Sequence, residues 1–427
     1  MCLLNLSIAA MDSSDDEKHA AKRRKTKPED EHEDDDDHQQ QTTGMENLPH
    51  EIIVDILSRL PITSLVQFKF VCRRWRGLAQ DPLIADMHLS CKTDTNPCLI
   101  LHCDFPIRNQ LYFVDLSSHN HDKDKVKRLY APFQATMPEF DVVGSCNGLL
   151  CLSDSLYNDA LYVYNPFTMD YMELPKSKQY PDQEVVFGFG FHPKTKEYKV
   201  VKIVYYRNTS SSFNRSRRII YPQSDVQVFT LGTSAWRSLG KVPYQFVRRP
   251  SEALVSGRLH WVSRPRRYHP ARRLVSFDLA DEQFREVPKP DCGGLNRCNF
   301  HVSVLKGCLA AAVYGNYGKL EVWVMKDYNV KESWIKEFSI GAYMPKCLKQ
   351  NLDRDRPLKI WKNVANGKVV RVLCLLENGE ILLEYKNRVL VSYDPKKGKF
   401  TDLSFQGIPN WFQTVVHAGS FNWINTP

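Results

Sequence analysis

Hydrophobic residues follow a helical period from Leu48 to Leu89 and a strand period from about Cys98 onward. In the first stretch, Ile52, Ile53, Ile56, Leu57 and Leu60 share one helical face. Pro49 suits the first turn, where its missing N–H is not needed. Pro61 stops this helix, and Thr63 or Ser64 is placed to cap the next. Leu65, Val66 and Phe68, then Val71, Cys72, Trp75, Leu78 and Ala79, continue at helical spacing to Asp81-Pro82, which ends the run. The pattern predicts three short amphipathic helices. So small a unit carries more large apolar side chains than it can cover. Its spare face either docks another protein or packs on a neighbouring part of the chain.

From about Cys98, short runs of Val, Ile, Leu, Tyr, Phe and Trp alternate with Gly, Asn, Asp and Pro turns, the spacing of an all-β domain. A repeat is present within it. Aromatic residues stand at Tyr164, Phe229, Phe277 and Tyr393. Seven positions after each is another aromatic, Tyr171, Trp236, Phe284 and Phe400, and three further on is Leu174, Leu239, Val287 or Leu403. Turn residues lie between, so each copy predicts two antiparallel strands. Gly148, Gly257 and Gly379, each followed by apolar residues, precede three of the copies, and looser copies surround Leu111–Val114 and Gly307–Trp334. Units of about 40–50 residues with several strands each predict propeller blades, about six of them. Trp411–Trp423 is available to close the ring on the first blade. A pair of stacked sheets is the alternative, but it leaves the repeat unexplained.

Composition adds to this picture. The chain has 427 residues, 42% hydrophobic and 11% aromatic, enough for a large folded domain beside the helices. No apolar run approaches the ~20 residues of a membrane span. Cys2–Ala10 lacks the basic start of a signal peptide, and Met11 is a second candidate initiator, which N-terminal peptide sequencing distinguishes. The formal charge of +9 is uneven, because residues 1–44 hold six basic and twelve acidic residues. That segment is nearly free of branched apolar residues after Ile8 and reads as a disordered tail. Its cluster Lys22, Arg23, Arg24, Lys25 and Lys27 reads as a nuclear localisation signal, giving an expected location in nucleus and cytoplasm. The other reading of the cluster is a solvated charge block beside Glu29–Asp37.

Twelve cysteines without a secretion signal point to reduced thiols. Cys146, Cys151, Cys308 and Cys374 lie in apolar runs and read as core. Cys292 and Cys298 with His301, and Cys98 with His102-Cys103, lack a second well-spaced pair, so neither a metal nor a cofactor is expected. Gly188-x-Gly190 is not a dinucleotide fingerprint, since Pro193 takes the third glycine position. His192 and His260 read as structural or surface residues. No hydrolase elbow, metalloprotease helix or phosphate loop occurs. The chain is therefore read as non-catalytic. A propeller enzyme with its site in the central channel is disfavoured by the lack of convergent carboxylates or histidines.

One charged constellation is candidate recognition chemistry. Residues 248–273 hold eight arginines and a single acid, Glu252. Arg248, Arg249, Arg264, Arg266, Arg267, Arg272 and Arg273 are candidate substrate-facing groups, suited to an acidic or phosphorylated protein partner. Arg207, Arg215, Arg217 and Arg218 decorate the preceding insertion. The plainer reading is solvated loops. Nucleic acid is not favoured, because prolines interrupt the basic run and no groove-reading helix accompanies it.

Leu48-Pro49, Ile52, Ile56-Leu57, Arg59-Leu60-Pro61, Ser64-Leu65, Val71-Cys72, Trp75 and Asp81-Pro82 together resemble an F-box. Gly144-Ser145-Cys146-Asn147-Gly148-Leu149-Leu150-Cys151, Tyr164-Asn165-Pro166-x-Thr168, Leu174-Pro175, Gly188–Pro193 and Tyr198–Val201 resemble the kelch-like F-box-associated domain of plant F-box proteins. The resemblance implies a tail over 1–44, an F-box over 45–92 and a kelch-like β-propeller over 93–427. The fold class is α+β multidomain. It also implies that Leu48, Pro49, Ile52, Ile56, Leu57, Leu60, Pro61 and Leu65 contact a Skp-type adaptor, which leads to a cullin scaffold. Cys72 and Trp75 would lock the helices, with part of Trp75 reaching the adaptor. The implied role is substrate receptor of an SCF-type ubiquitin ligase, in which a separate E2 enzyme carries the thioester. The alternative is a scaffold that binds partners without promoting ubiquitination.

Overall fold

The computed structural model describes residues 48–68, 71, 73–79, 81–92, 97–105, 108–116, 126–157, 159–207, 223–247, 249–251, 253–264, 272–291, 299–314, 319–350 and 370–421. The tail with Lys22, Arg23, Arg24, Lys25 and Lys27 lies outside them, as do Cys72, Arg248, Arg266, Arg267, Cys292 and Cys298.

Four helices come first: α1 His50–Ser58, α2 Ile62–Phe68, α3 Arg73–Ala79 and α4 Pro82–Lys92. The fourth departs from the sequence pattern, in which Asp81-Pro82 ends the helical run. The dipeptide is instead a start. The Asp81 carboxylate accepts the Leu83 amide at 2.9 Å, and proline at the first helical position gives up no needed donor. Pro61 likewise opens α2, its carbonyl accepting the Ser64 and Leu65 amides at 3.0 and 3.1 Å. Thr63 and Ser64 thus sit inside the first turn rather than at the cap.

The strands form six four-stranded antiparallel sheets. Five are sequential hairpins. These are β4 Phe140–Cys146 to β7 Tyr171–Glu173, and β8 Glu184–His192 to β11 Arg237–Gly240, with β9 Glu197–Tyr206 and β10 Gln223–Thr230 inside the second. Next are β12 Ala253–Val255 to β15 Phe284–Val287, with β13 Arg258–Val262 and β14 Leu274–Asp278 inside. Then come β16 Asn299–Leu305 to β19 Trp334–Ile340, and β20 Val370–Leu375 to β23 Lys399–Leu403. The remaining sheet joins the two ends of the domain. Strands β1 Cys98–Phe105, β2 Leu111–Val114 and β3 Lys127–Leu129 are completed on the inner edge by β24 Trp411–His417. Cys98 pairs with His417 and Phe105 with Trp411. This is a six-bladed propeller whose last strand closes its first blade, as the terminal aromatic stretch suggested.

The core lies between blades, in six apolar clusters that follow one another around the ring. Alternation divides each strand between two clusters. Leu99 and Leu101 face the sixth blade while Ile100 faces the second. Both faces of a blade are covered, so inner strands read as unbroken apolar runs, and every residue of Leu149–Asp154 is buried. The Gly188-x-Gly190 pattern has the same origin. Phe187 and Phe189 fill one interface, and a Cβ on Gly188 would stand 2.6 Å from the Trp261 ring filling the other.

The sequence repeat is the outer hairpin. Tyr164 pairs with Tyr171, Phe277 with Phe284 and Tyr393 with Phe400 across neighbouring strands. The rings of Phe229 and Trp236 lie 5.4 Å apart in the third blade. Leu239 departs from its counterparts, since it is exposed where Leu174, Val287 and Leu403 are buried. The glycines mark the inner hairpins. Asn147-Gly148, Ser256-Gly257 and Lys306-Gly307 hold positive φ at both turn positions, the two-residue turn that matches strand twist.

Candidate functional site

Antiparallel blades sort their connections to two ends of the ring. Turns from the innermost to the second strand, and from the third to the fourth, emerge at one end. The connections between the second and third strands, and from blade to blade, emerge at the other. The helices occupy the first end. Ile53, Val54, Leu57, Ile62, Leu65, Ile84 and Ala85 form their core together with Phe421, and Phe167 from an outer turn of the second blade packs against it. Ile62 approaches Gly419 so closely that a Cβ there would lie 2.9 Å from its Cγ2. The Asn165 amide donates to the Ser420 carbonyl at 3.0 Å. A Cβ on Gly148 would meet that of Ser420 at 2.3 Å. The four residues after β24 therefore run between helices and blades, so the strand that closes the ring also seats the helical module.

The expected adaptor contacts fall into two groups. Ile52 and Ile56 are 48% and 39% exposed on α1, Leu48 before it is 38% exposed, and Pro49 and Pro61 are exposed as well. Leu57 and Leu65 are each 2% exposed and belong to the helical core, while Leu60 and Trp75 are half-buried. Trp75 stacks on Phe68 at 4.7 Å. Helical periodicity alone did not separate the groups, because one broad apolar stripe serves both the core and the exposed edge. Val71 and Leu83 are also exposed large apolar residues, Leu83 on the fourth helix.

Arginines of the basic constellation are divided by the topology. Arg258 begins β13 at the helical end and pairs with Asp278 at 2.8 Å. Arg249, Arg264, Arg272 and Arg273 lie in the connections β11–β12 and β13–β14, which emerge at the open end. There, Arg264 is ion-paired with buried Glu184 of the third blade, and Arg273 contacts Glu286 at 2.5 Å.

A channel of about 1190 Å³ runs along the inner strands, with Arg371, Thr414 and His417 in its wall and Pro61 and Ile62 at its helical end. Several of its polar groups are engaged within the fold. Buried Glu384 accepts from Arg371 at 2.9 Å and from the Thr414 amide at 2.7 Å. Ser145 Oγ lies 2.9 Å from His417 Nδ1, but burial pushes His417 down to about 3, so its imidazole is too weak a base to take a hydroxyl proton near neutral pH. His260 is held between the Ala253 carbonyl and the Tyr328 hydroxyl and is pushed by burial down to about 4. His192 is buried over Gly257. Both ring nitrogens of His301 are engaged, by Tyr314 and by the Val372 amide. Burial pushes the Cys146 and Cys374 thiols up to about 12, consistent with core packing rather than reactivity. Among the described residues no group of metal-ligating side chains converges, and no helix is long and apolar enough to cross a membrane.

His260 and His417 carry a pH prediction. Unfolded histidine titrates near pH 6.5. From there down to about pH 4 the unfolded chain gains protons that folded His260 and His417 refuse, so stability falls as pH falls. Each is expected to remove about 3 kcal/mol by pH 4. Urea midpoints measured from pH 7 to 4.5 should decline steadily; a flat profile contradicts the assignment.

Comparison with known proteins agrees with this architecture. Residues 45–90 match the F-box-like family and residues 100–425 match the F-box associated beta propeller domain. F-box protein At3g07870 of Arabidopsis thaliana is 64% identical over 396 residues, covering 90% of this chain and 94% of the relative. F-box protein CPR1 is 30% identical, covering 88% and 89%, and F-box/kelch-repeat protein At3g23880 is 28% identical, covering 83% and 89%, both from the same plant. A helical module seated on a six-bladed ring closed by its own last strand, with both sequence families matched in that order, makes this chain a member of the plant F-box proteins that carry an F-box-associated β-propeller domain.

Proposed function

We propose that this protein is the non-catalytic substrate receptor of an SCF-type ubiquitin ligase. The helices bind a Skp-type adaptor, and through it a cullin scaffold, while loops at the opposite end of the propeller hold the target. The observation that carries this reading is the two-ended architecture. Solvent-facing Ile52 and Ile56 are on the helical module at one end, and the long connections emerge at the other. The helices are anchored to the ring through Phe421 and Ile62, so a bound target is held at a fixed place relative to the adaptor. Transfer to the target is then promoted by proximity rather than by chemistry on this chain.

The test is reconstitution with adaptor, cullin and E2. The full chain is expected to bring all of them into one complex, and proteins captured by its open end are expected to turn over faster when it is present. Recovery of adaptor and cullin with no change in the lifetime of captured proteins identifies a scaffold instead.

A further inference from the structure

One guanidinium and two aromatic residues come together at the open end, where the last blade meets the first. Strands β21 Ile381–Tyr385 and β22 Val389–Asp394 of the sixth blade are joined there by a tight turn, with φ of +50° at Lys386 and +57° at Asn387. Arg388 N donates to the Tyr385 carbonyl at 3.0 Å and closes that turn. Phe412 N donates to the Asn387 carbonyl at 2.8 Å, which ties the turn to the start of the closing strand. The Arg388 guanidinium lies over the Trp411 ring, 4.6 Å from its centroid. Trp411 in turn pairs with Phe105 at the open end of β1, and opposite residues of an antiparallel ladder stand on one face. Phe105 is exposed, and Trp411 and Arg388 are half-buried. Gln413, two residues on from Trp411, lines the channel, so the group stands at its mouth. Neither Arg388 nor Lys386 forms an ion pair among the described residues, in contrast to Arg264, Arg273 and Arg371, each held by a glutamate.

We propose that Arg388, Trp411 and Phe105 form the docking patch for the target protein, and that they take a segment in which a carboxylate side chain adjoins a large apolar one. This rests on the receptor reading and names the chemistry of its target. A guanidinium stacked on a ring keeps its N–H donors in its own plane, so the fork of Arg388 is open to a carboxylate while its face is occupied. Stacking also holds this long side chain in place before the partner arrives, which lowers the ordering cost of binding. The charge of Lys386 in the same turn adds to the attraction for an acidic group. Trp411 and Phe105 offer the apolar surface that an adjoining aliphatic or aromatic side chain covers. Tryptophan and arginine are also the residues most enriched among those that carry binding energy at interfaces.

The experiment uses the full chain, alone and with its adaptor. The probes are degenerate peptide libraries centred on aspartate-leucine, asparagine-leucine, lysine-leucine or aspartate-serine. The aspartate-leucine library is expected to be retained at least about tenfold better than each of the others, a difference of about 1.4 kcal/mol. Arg388→Gln should bring it down to the level of asparagine-leucine and leave adaptor binding and melting unchanged. Trp411→Ala should bring it down to the level of aspartate-serine. Should that variant misfold, Phe105→Ala, at an exposed position, gives the same reading as a several-fold loss. Equal retention of aspartate-leucine and asparagine-leucine overturns the proposal. So does equal retention of aspartate-leucine and aspartate-serine, or a preference that survives both Arg388→Gln and Phe105→Ala. The aspartate-leucine preference in a chain that fails to bind adaptor upholds this patch and sinks the receptor reading. Adaptor binding without that preference sinks the patch and leaves the receptor reading standing.

Discussion

Alanine at Ile52 and Ile56 together is expected to remove adaptor binding while leaving the fold intact. Both side chains stand on one face of α1, four residues apart, with 48% and 39% of their surface open to water. Their truncation takes little from the folded chain, where exposed positions away from special features change stability by no more than about 0.5 kcal/mol. In a complex that buries them, each is worth about 2 kcal/mol of apolar transfer. Losing about 4 kcal/mol weakens binding roughly a thousandfold. Leu57→Ala gives the contrasting result. Leu57 is 2% exposed inside the helical cluster, so its truncation is expected to cost 2–5 kcal/mol (roughly) of helical stability and to lose the adaptor by loosening the module. Titration calorimetry with thermal melts on both variants separates the cases. Full-strength binding by the Ile52 and Ile56 variant moves the docking face elsewhere, with Val71 and Leu83 the next exposed apolar positions to change.

Ending the chain after Asn410 is expected to abolish cooperative folding. That cut removes β24, and with it the pairing along β1 from Cys98 to Phe105. It removes Phe412, fully buried between the sixth and first blades, and Phe421, 1% exposed in the helical core. Truncating a single buried phenylalanine costs about 3–5 kcal/mol, against about 5–15 kcal/mol for the whole of a typical domain's stability. The cut also bares the edge of β1, a template for pairing with other chains. Soluble expression and a single unfolding transition should both be lost. Point substitutions divide the two roles of this segment. Phe412→Ala should destabilise the ring, whereas Phe421→Ala should raise hydrogen exchange in α1 and α4 with the blades still protected. A shortened chain that melts cooperatively near the full-length temperature would mean that the ring closes without its last strand.

Much of this could be read from residue order, because the relevant forces are local. Helical spacing of Ile52, Ile53, Ile56 and Leu57 requires only a period of 3.6. The seven-residue interval between aromatics is the distance around one tight hairpin, so Tyr393 and Phe400 announce their pairing within a short span. The inner turns declare themselves through glycine, as at Gly257, where φ is +74° and His192 leaves no room for a Cβ. The same local rules misled at Asp81-Pro82. The dipeptide stops one helix and starts another equally well, and its meaning depends on whether apolar residues beyond it, here Ile84 and Ala85, find a core.

The sequence by itself determined the order of the parts, the period of each, the number of blades and the identity of the strand that closes them. Tertiary structure decided which side of each residue meets water. Leu57 and Ile56 are neighbours in one stripe, and only packing with residues brought in from elsewhere in the chain, Leu65, Ile84, Ala85 and Phe421, makes the first core and leaves the second exposed. Eight arginines look alike in a run of loops. Antiparallel topology sends Arg258 to the helical end and Arg249, Arg264, Arg272 and Arg273 to the open end, where ion pairs with Glu184 and Glu286 occupy Arg264 and Arg273. Exposure and charge pairing depend on contacts between residues far apart in the chain, whereas period and turn chemistry depend on residues close together. That is why the fold was legible and the division of its surface was not.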